Sequence, residues 1–235
     1  MIPGYGLREF DELDSTNEEA RRLALAGERG PIWLLATRQT AGRGRRGRQW
    51  RSGEGNLFAT LLIRPARPKP EWAQLSFAAA IAVADMAARF ADRVAVKWPN
   101  DVLVEGRKVS GILLETAGEA LAIGIGINLT HHPEGTEFPA ISLKALGATP
   151  PKPNVALTLL AAEFATWYDL WVSAGFAPIR EAWLARSVGL GSRIRARLPG
   201  KDYVGVFEGI DDEGALLLRD GNAIRPLSAA DVFFE

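Results

Sequence analysis

From Arg38 to Arg51 the chain carries six arginines and no acidic residue, and Gly42, Gly44 and Gly47 separate the arginines. Lysine plus arginine (28) equals aspartate plus glutamate (28) over the whole chain, so this charge is local. A cationic loop on a neutral protein points to a discrete anionic ligand rather than a long polyanion. Glycine lets backbone N–H groups turn toward such an anion, and arginine adds planar forks that match phosphate or carboxylate. Other readings of the loop stay open at this level. Gly42, Gly44 and Gly47 make a formal G-x-G-x-x-G, but a dinucleotide fold needs a helix next, and two further glycines follow within nine residues. Arginine runs beside a tryptophan also bind RNA, and a solvated arginine-rich turn is the plain alternative.

A second group with chemical potential is Lys97-Trp98-Pro99-Asn100-Asp101, followed by Lys108 and Gly111. Pro99 stops ladder pairing and Asn100-Asp101 favours a turn. Taken alone, Lys108 beside a hairpin turn reads as a solvated edge charge. Gly124 and Gly126 alternate with isoleucines before Asn128, so one strand face lacks side chains, as where a ligand or another backbone comes close. Ser15, Thr16 and Asn17 open a helix, with Ser15 and Glu18 at capping-box spacing, and by themselves read as caps. His131 and His132 lack spaced ligand partners, and no G-x-S-x-G or Walker loop is present.

The elements that must position these residues follow from periodicity. Strands are expected at 31–37, 56–64 and 94–98, then an antiparallel meander over 102–104, 108–115 and 121–129. Helices are expected from 14 to Gly27, at 71–91, at 153–176 with the stripe Leu157, Leu160, Phe164, Trp167 and Trp171 facing a core, and at 178–186. After Ser187 the pattern becomes short β segments with tight turns, which suggests a small barrel. The division is therefore 1–187 and 188–235, in an α+β chain. At 235 residues and 47% hydrophobic content the chain can bury a large core. Absence of cysteine excludes disulfides and thiol nucleophiles and fits a reducing compartment. The apolar stretches at 75–91 and 155–171 are interrupted by charges and do not read as membrane spans, and the N-terminus shows no signal pattern.

Together these motifs, in this order, resemble the biotin protein ligases over nearly the whole chain. The match is carried by Ser15-Thr16-Asn17, by Gln39 with Gly42 to Trp50, by Lys97 to Asp101, by Lys108 with Gly111, and by Gly124 to Asn128. The resemblance implies a catalytic domain like the class II synthetase core, with a mixed and antiparallel sheet, plus a C-terminal SH3-like barrel. It implies formation of biotinyl-5′-adenylate from biotin and ATP with Mg²⁺, and transfer of biotin to a lysine of a biotin carboxyl carrier protein. By the same resemblance Ser15, Thr16, Asn17 and Gln39 line the biotin ring, with Gly111 beside it. Arg43, Gly44 and Arg45 close over biotin and phosphate, and Lys108 holds the carboxylate and α-phosphate. Trp50 and Asn128 attend adenine, and Arg48, Asn100 and Asp101 support the triphosphate. Lys108 and Arg45 are the expected catalytic residues; the ligands of the metal stay open. Because the motifs begin at Ser15, a cytoplasmic, monofunctional ligase is expected, with no DNA or membrane partner, and an exposed strand edge that could form a homodimer. The rival from the same fold is a lipoate–protein ligase; the rival from another class is a non-catalytic RNA- or partner-binding module.

Overall fold

The computed structural model describes residues 4–51 and 53–234. Seven strands form one mixed sheet in the order β1-β2-β3-β7-β6-β5-β4. They are β1 (Gly6–Leu13), β2 (Ile32–Gln39), β3 (Leu57–Ile63), β4 (Val94–Lys97), β5 (Asp101–Val104), β6 (Arg107–Ala117) and β7 (Ala120–Ile127). Only β1 and β2 run parallel; the other neighbours are antiparallel. β1 escapes the sequence reading. Its Leu-Arg-Glu-Phe-Asp-Glu carries charges on both faces, because it lies at the sheet edge and is mostly exposed.

Strand periodicity divides the sheet into two faces. On β2, β3 and β7 one set of side chains (Trp33, Leu35, Leu57, Ala59, Leu61, Leu121, Ile123, Ile125, Ile127) joins the main core. That face is covered by α2 (Leu75–Ala87), α3 (Pro153–Ala174) and α4 (Phe176–Arg186). α2 is buried along nearly its whole length, and its alanines let it lie between the sheet and α3. It is shorter than the expected 71–91: Lys69–Gln74 is a 3-10 turn, and the helix ends at Ala87. In α3, Leu157, Leu160, Phe164 and Trp171 are buried, and Trp167 donates to Asp85 at 2.8 Å, so the aromatic stripe is core. α3 is long and apolar enough to cross a membrane by composition, and here it packs against α2, α4 and β3.

The opposite face holds a smaller cluster (Ala20, Ile32, Leu34, Leu62, Ala120, Ala122) under α1 (Thr16–Leu25). Farther along this face the strands present small or polar residues: Thr60, Gly124 and Gly126. This is the floor of the site described below.

The C-terminal segment forms a separate five-stranded antiparallel sheet in the order β11-β10-β9-β8-β12. Its strands are β8 (Arg193–Leu198), β9 (Lys201–Ile210), β10 (Leu216–Asp220), β11 (Ala223–Leu227) and β12 (Asp231–Phe234). It is held to the first sheet by Trp98, whose indole N–H donates to Gly214 O at 3.0 Å, and by Val188 N–H to Val96 O at 3.0 Å. Hydrophobic packing is continuous across the junction, from Phe77 and Trp183 to Ile210, Leu216 and Val232.

Candidate active site

One cavity of about 330 Å³ opens on the α1 face, where the ends of β2, β4, β5, β6 and β7 meet the N-terminus of α1 and the inner edge of β12. Ser15, Thr16, Asn17, Gln39, Arg43, Gly44, Arg45, Arg48, Trp50, Asn100, Asp101, Lys108, Gly111 and Asn128 all line it. Residues separated by up to 113 positions are thus brought to one site.

Its inner end is uncharged and polar. Ser15, Thr16 and Asn17 are each at most 5% exposed. The capping box expected of Ser15 and Glu18 is not formed: Ser15 makes no side-chain cap bond, and Glu18 pairs with Arg21 at 2.8 Å. Gln39 takes over, its Oε1 accepting from Thr16 N–H at 2.9 Å and lying 3.2 Å from Thr16 Oγ1. A residue from a neighbouring strand satisfies the first turn, so the Ser15 side chain is not needed as a cap. Behind Thr16, Thr60 Oγ1 lies 2.8 Å from Thr16 Oγ1 and 2.7 Å from Asn17 Oδ1.

The bareness of the β7 face has a specific cause. A Cβ on Gly124 would collide with the amide of Asn17, and one on Gly126 would lie 2.5 Å from the Trp50 ring. Gly111, opposite Gly126 in the register, would likewise meet Trp50 at 3.0 Å. The glycines therefore make room for two side chains of the protein that form the walls of the cavity.

The other end is cationic. Lys108 does not stand on an exposed edge: β6 lies inside the sheet, and Lys108 Nζ pairs with Asp101 Oδ1 at 2.6 Å. Its direction depends on a β-bulge. Val102 pairs with Ser110 and Leu103 with Lys108, which leaves Val109 as the extra residue. Regular alternation would put Lys108 and Gly111 on opposite faces; the bulge puts Lys108 over Gly111, 3.2 Å from its Cβ position. Lys97, paired with Asp101 across β4 and β5, is only 7% exposed and lies 4.0 Å from the Phe138 ring centre. Burial lowers its ammonium pKa to about 8; Asp101 opposes the shift and Lys108 adds to it.

The arginine loop covers the cavity. Gly44 N–H donates to Arg48 O at 2.7 Å, Arg48 N–H to Arg45 O at 3.2 Å and Trp50 N–H to Gly42 O at 2.9 Å. Arg46 and Gly47 take positive φ in the tight turn between them, which glycine makes easy at Gly47. These three N–H groups close the loop on itself, so its side-chain forks present the charge instead. Arg45 Nη1 reaches Asn100 Oδ1 at 3.4 Å, and burial lowers the Arg45 pKa. Arg46 Nη1 meets Asp231 Oδ2 at 3.0 Å, and Arg48 pairs with the same oxygen. Burial alone would raise the Asp231 carboxyl pKa, but the hydrogen bond and charge of Arg48, with Arg46 and Arg197, hold it below the ordinary range. Asn128 donates to Ile141 O at 3.2 Å, fixing the segment that carries Phe138 and Ala140.

Sequence reasoning assigned no role to Lys97, Phe138, Asp231, Thr60 or Glu115. Lys97 stood in a recognised motif. The others carried no local signal, since each acts through partners distant in sequence. Among the described residues no group of three acidic, histidine or cysteine side chains could hold a metal ion.

Residues 10–130 match the biotin/lipoate A/B protein ligase family, and residues 189–235 match the biotin protein ligase C-terminal domain. The chain is 47% identical to a biotin–[acetyl-CoA-carboxylase] ligase of Paracoccus denitrificans, over 94% of this chain and 97% of that one. It is 36% identical to the bifunctional ligase/repressor BirA of Bacillus subtilis, over 98% of this chain and 74% of that protein. The fold superposes on a biotin protein ligase from Aquifex aeolicus in complex with biotin and ATP, with a TM-score of 0.87, 26% identity and coverage of 98% and 99%. It superposes on the Leishmania major biotin protein ligase in complex with biotinyl-5-AMP with a TM-score of 0.68, 26% identity and coverage of 97% and 100%.

Proposed function

The chain belongs to the biotin/lipoate A/B protein ligase family, among its biotin protein ligases, and from that premise we propose that the cavity is where a biotin carboxylate meets the α-phosphate of ATP. The enzyme is an ATP-dependent ligase. It forms biotinyl-5′-adenylate and transfers biotin to a lysine of a carboxylase carrier domain. The observation that carries the site assignment is the polarity of the cavity. An uncharged hydrogen-bonding end at Thr16, Asn17 and Gln39 faces a cationic end at Lys97, Lys108, Arg45 and Arg48.

On this reading Ser15, Thr16, Asn17 and Gln39 hold the ring of biotin, and Gly111, beneath Trp50 and Lys108, lies beside its chain. Lys108 binds the carboxylate and the α-phosphate oxygens. It is poised there by Asp101, so the pair of anions arrives at a fixed cation rather than at one that must first be ordered. As the carboxylate oxygen attacks phosphorus and pyrophosphate leaves, negative charge grows on oxygens facing Lys108, Lys97 and Arg45, which favours the transition state over the separated reactants. Arg43, Gly44 and Arg45 cover the mixed anhydride and keep water from it. Trp50 and Asn128 flank the nucleoside, and Arg48, Asn100 and Asp101 the phosphates. Arg45 and Lys108 are the catalytic residues. Mg²⁺ would be held largely by the phosphates themselves, with Asp101 the lining carboxylate on that side, and would supply charge neutralisation there. In the second step the acceptor lysine attacks the acyl carbon and AMP leaves. The division into 1–187 and 188–235 belongs to this proposal and is supported by the separate second sheet.

A lipoate ligase is the runner-up. The hydrogen-bonding inner end suits a cyclic urea better than a dithiolane on an acyl chain. The test is ATP–pyrophosphate exchange with biotin, with lipoate and with neither. Exchange is expected with biotin alone, followed by mass gain of one biotinyl group on a carrier domain. Exchange with lipoate only would overturn the assignment.

A further inference from the structure

The side chain of Asn17 is held in one sense by groups behind the cavity wall. Its Nδ2 donates to Leu113 O at 3.2 Å and to Glu115 Oε2 at 2.7 Å. A backbone carbonyl and a carboxylate only accept, so the nitrogen must face them and the amide cannot sit the other way round. Both of its N–H bonds are thereby used. Thr60 Oγ1 lies 2.7 Å from Oδ1 and takes one of its two lone pairs. The amide is packed against Gly124, with Oδ1, Cγ and Nδ2 all within 3.0 Å of where a Cβ would stand. What Asn17 can offer the cavity is one carbonyl lone pair, an acceptor and not a donor. Glu115, in β6, is not part of the cavity lining. Its other neighbour is Arg43 of the covering loop, at 3.5 Å.

We propose that Glu115 is a positioning residue that fixes Asn17 as a hydrogen-bond acceptor, so that the inner end of the cavity selects a ligand bringing an N–H group. The proposal rests on the biotin reading above, because a cyclic urea offers N–H groups where a dithiolane offers none. Without the carboxylate, Asn17 Nδ2 keeps only the Leu113 carbonyl, and the amide can turn its N–H toward the ligand.

Wild type, Glu115→Leu and Glu115→Gln are compared by pyrophosphate exchange, with biotin and ATP varied separately, alongside thermal melting. Glu115→Leu is expected to raise KM for biotin about tenfold or more, the scale of losing a hydrogen bond to a charged acceptor. KM for ATP stays within about twofold of wild type on the same bookkeeping. Glu115→Gln recovers most of the loss, because its side-chain carbonyl accepts from Nδ2 in the same place. An unchanged biotin KM in Glu115→Leu overturns the proposal. So does equal impairment of Leu and Gln, which would make the charge rather than the acceptor matter, and so does a parallel rise of both KM values. If Glu115→Leu melts far below wild type, Glu115→Ala removes the same acceptor without apolar bulk and is judged by the same outcomes. Absence of biotin-dependent exchange in the wild type would instead sink the ligase reading, and this inference with it.

Discussion

Lys97 and Lys108 flank a single carboxylate, Asp101, yet the two lysines face different conditions. Lys108 has its own ion pair at the cavity; Lys97 is buried beneath Phe138 and titrates near 8. If the Lys97 charge helps bind phosphate, kcat/KM for ATP should fall as pH rises through about 8, the free-enzyme value. Lys97→Arg, which stays charged, should flatten that limb; an unchanged limb would remove Lys97 from phosphate binding. The stability sign is opposite. The folded pKa lies below the unfolded value of about 10.4, so the unfolded chain binds more protons between these pH values and this group's contribution to stability rises with pH across the window. For Lys108→Ala the expectation is a loss of adenylation of about 100-fold. Because the partly buried Asp101 then loses its partner, a cost of about 1 kcal/mol, or about 2–4 °C in Tm, is expected with it. Lys108→Arg should recover little, since a planar fork does not place charge where a compact ammonium does. Near-normal exchange in Lys108→Ala would refute the catalytic role.

Among the elements, the arginine loop and the glycine face of β7 form a pair. Trp50 ends the loop and lies on Gly126 and Gly111, so the loop is seated by a ring on bare backbone. Gly126→Ala should unseat it. A Cβ 2.5 Å from the ring leaves Trp50 no choice but to move. The sheet itself has no reason to fail, so Tm should change little while adenylation falls by about 100-fold, the scale of a misplacement of about 1 Å. Amide exchange of residues 43–49 should be faster in the free protein than with biotinyl-adenylate, because clustered arginines repel and glycine is costly to order. In Gly126→Ala the ligand should restore less protection. Equal protection in all states would show that the loop does not close by this seat.

At the scale of the molecule, the C-terminal sheet is a wall of the site. Asp231 on β12 receives Arg46 and Arg48 from the loop and lies 3.7 Å from Arg197 of its own sheet. Asp231→Ala should cost about 1 kcal/mol, or about 2–4 °C in Tm, and speed amide exchange in the loop without ligand. The depressed carboxyl pKa gives the sign with pH. The stabilisation is complete above the unfolded value, about 3.9, and is lost as pH falls through the lower folded one. The Tm difference between wild type and Asp231→Ala should therefore shrink on acidification below pH 4. A difference that persists unchanged there would mean that Asp231 acts by packing rather than charge.

The amino-acid sequence by itself named many of the residues that line the cavity and most of the scaffold. A continuous apolar run marked β3, the alternation of glycine with isoleucine marked β7, the apolar stripe marked α3, and tight-turn residues marked the second sheet, because those signals are local and each residue carries its own. The cationic loop and the Lys97 to Asp101 turn were legible for the same reason. The tertiary structure decided which way the residues face and what they face. The cap of α1 comes from Gln39 on another strand, so the Ser15 and Glu18 spacing misled. Lys108 points into the cavity because one extra residue, Val109, shifts the pairing of β5 and β6, and register is a property of two strands together. The bare face of β7 was visible as Gly124 and Gly126; that Asn17 and Trp50 fill it was not. Asp231 reaches the arginine loop from the far end of the chain, and no local pattern can encode a partner 183 residues away.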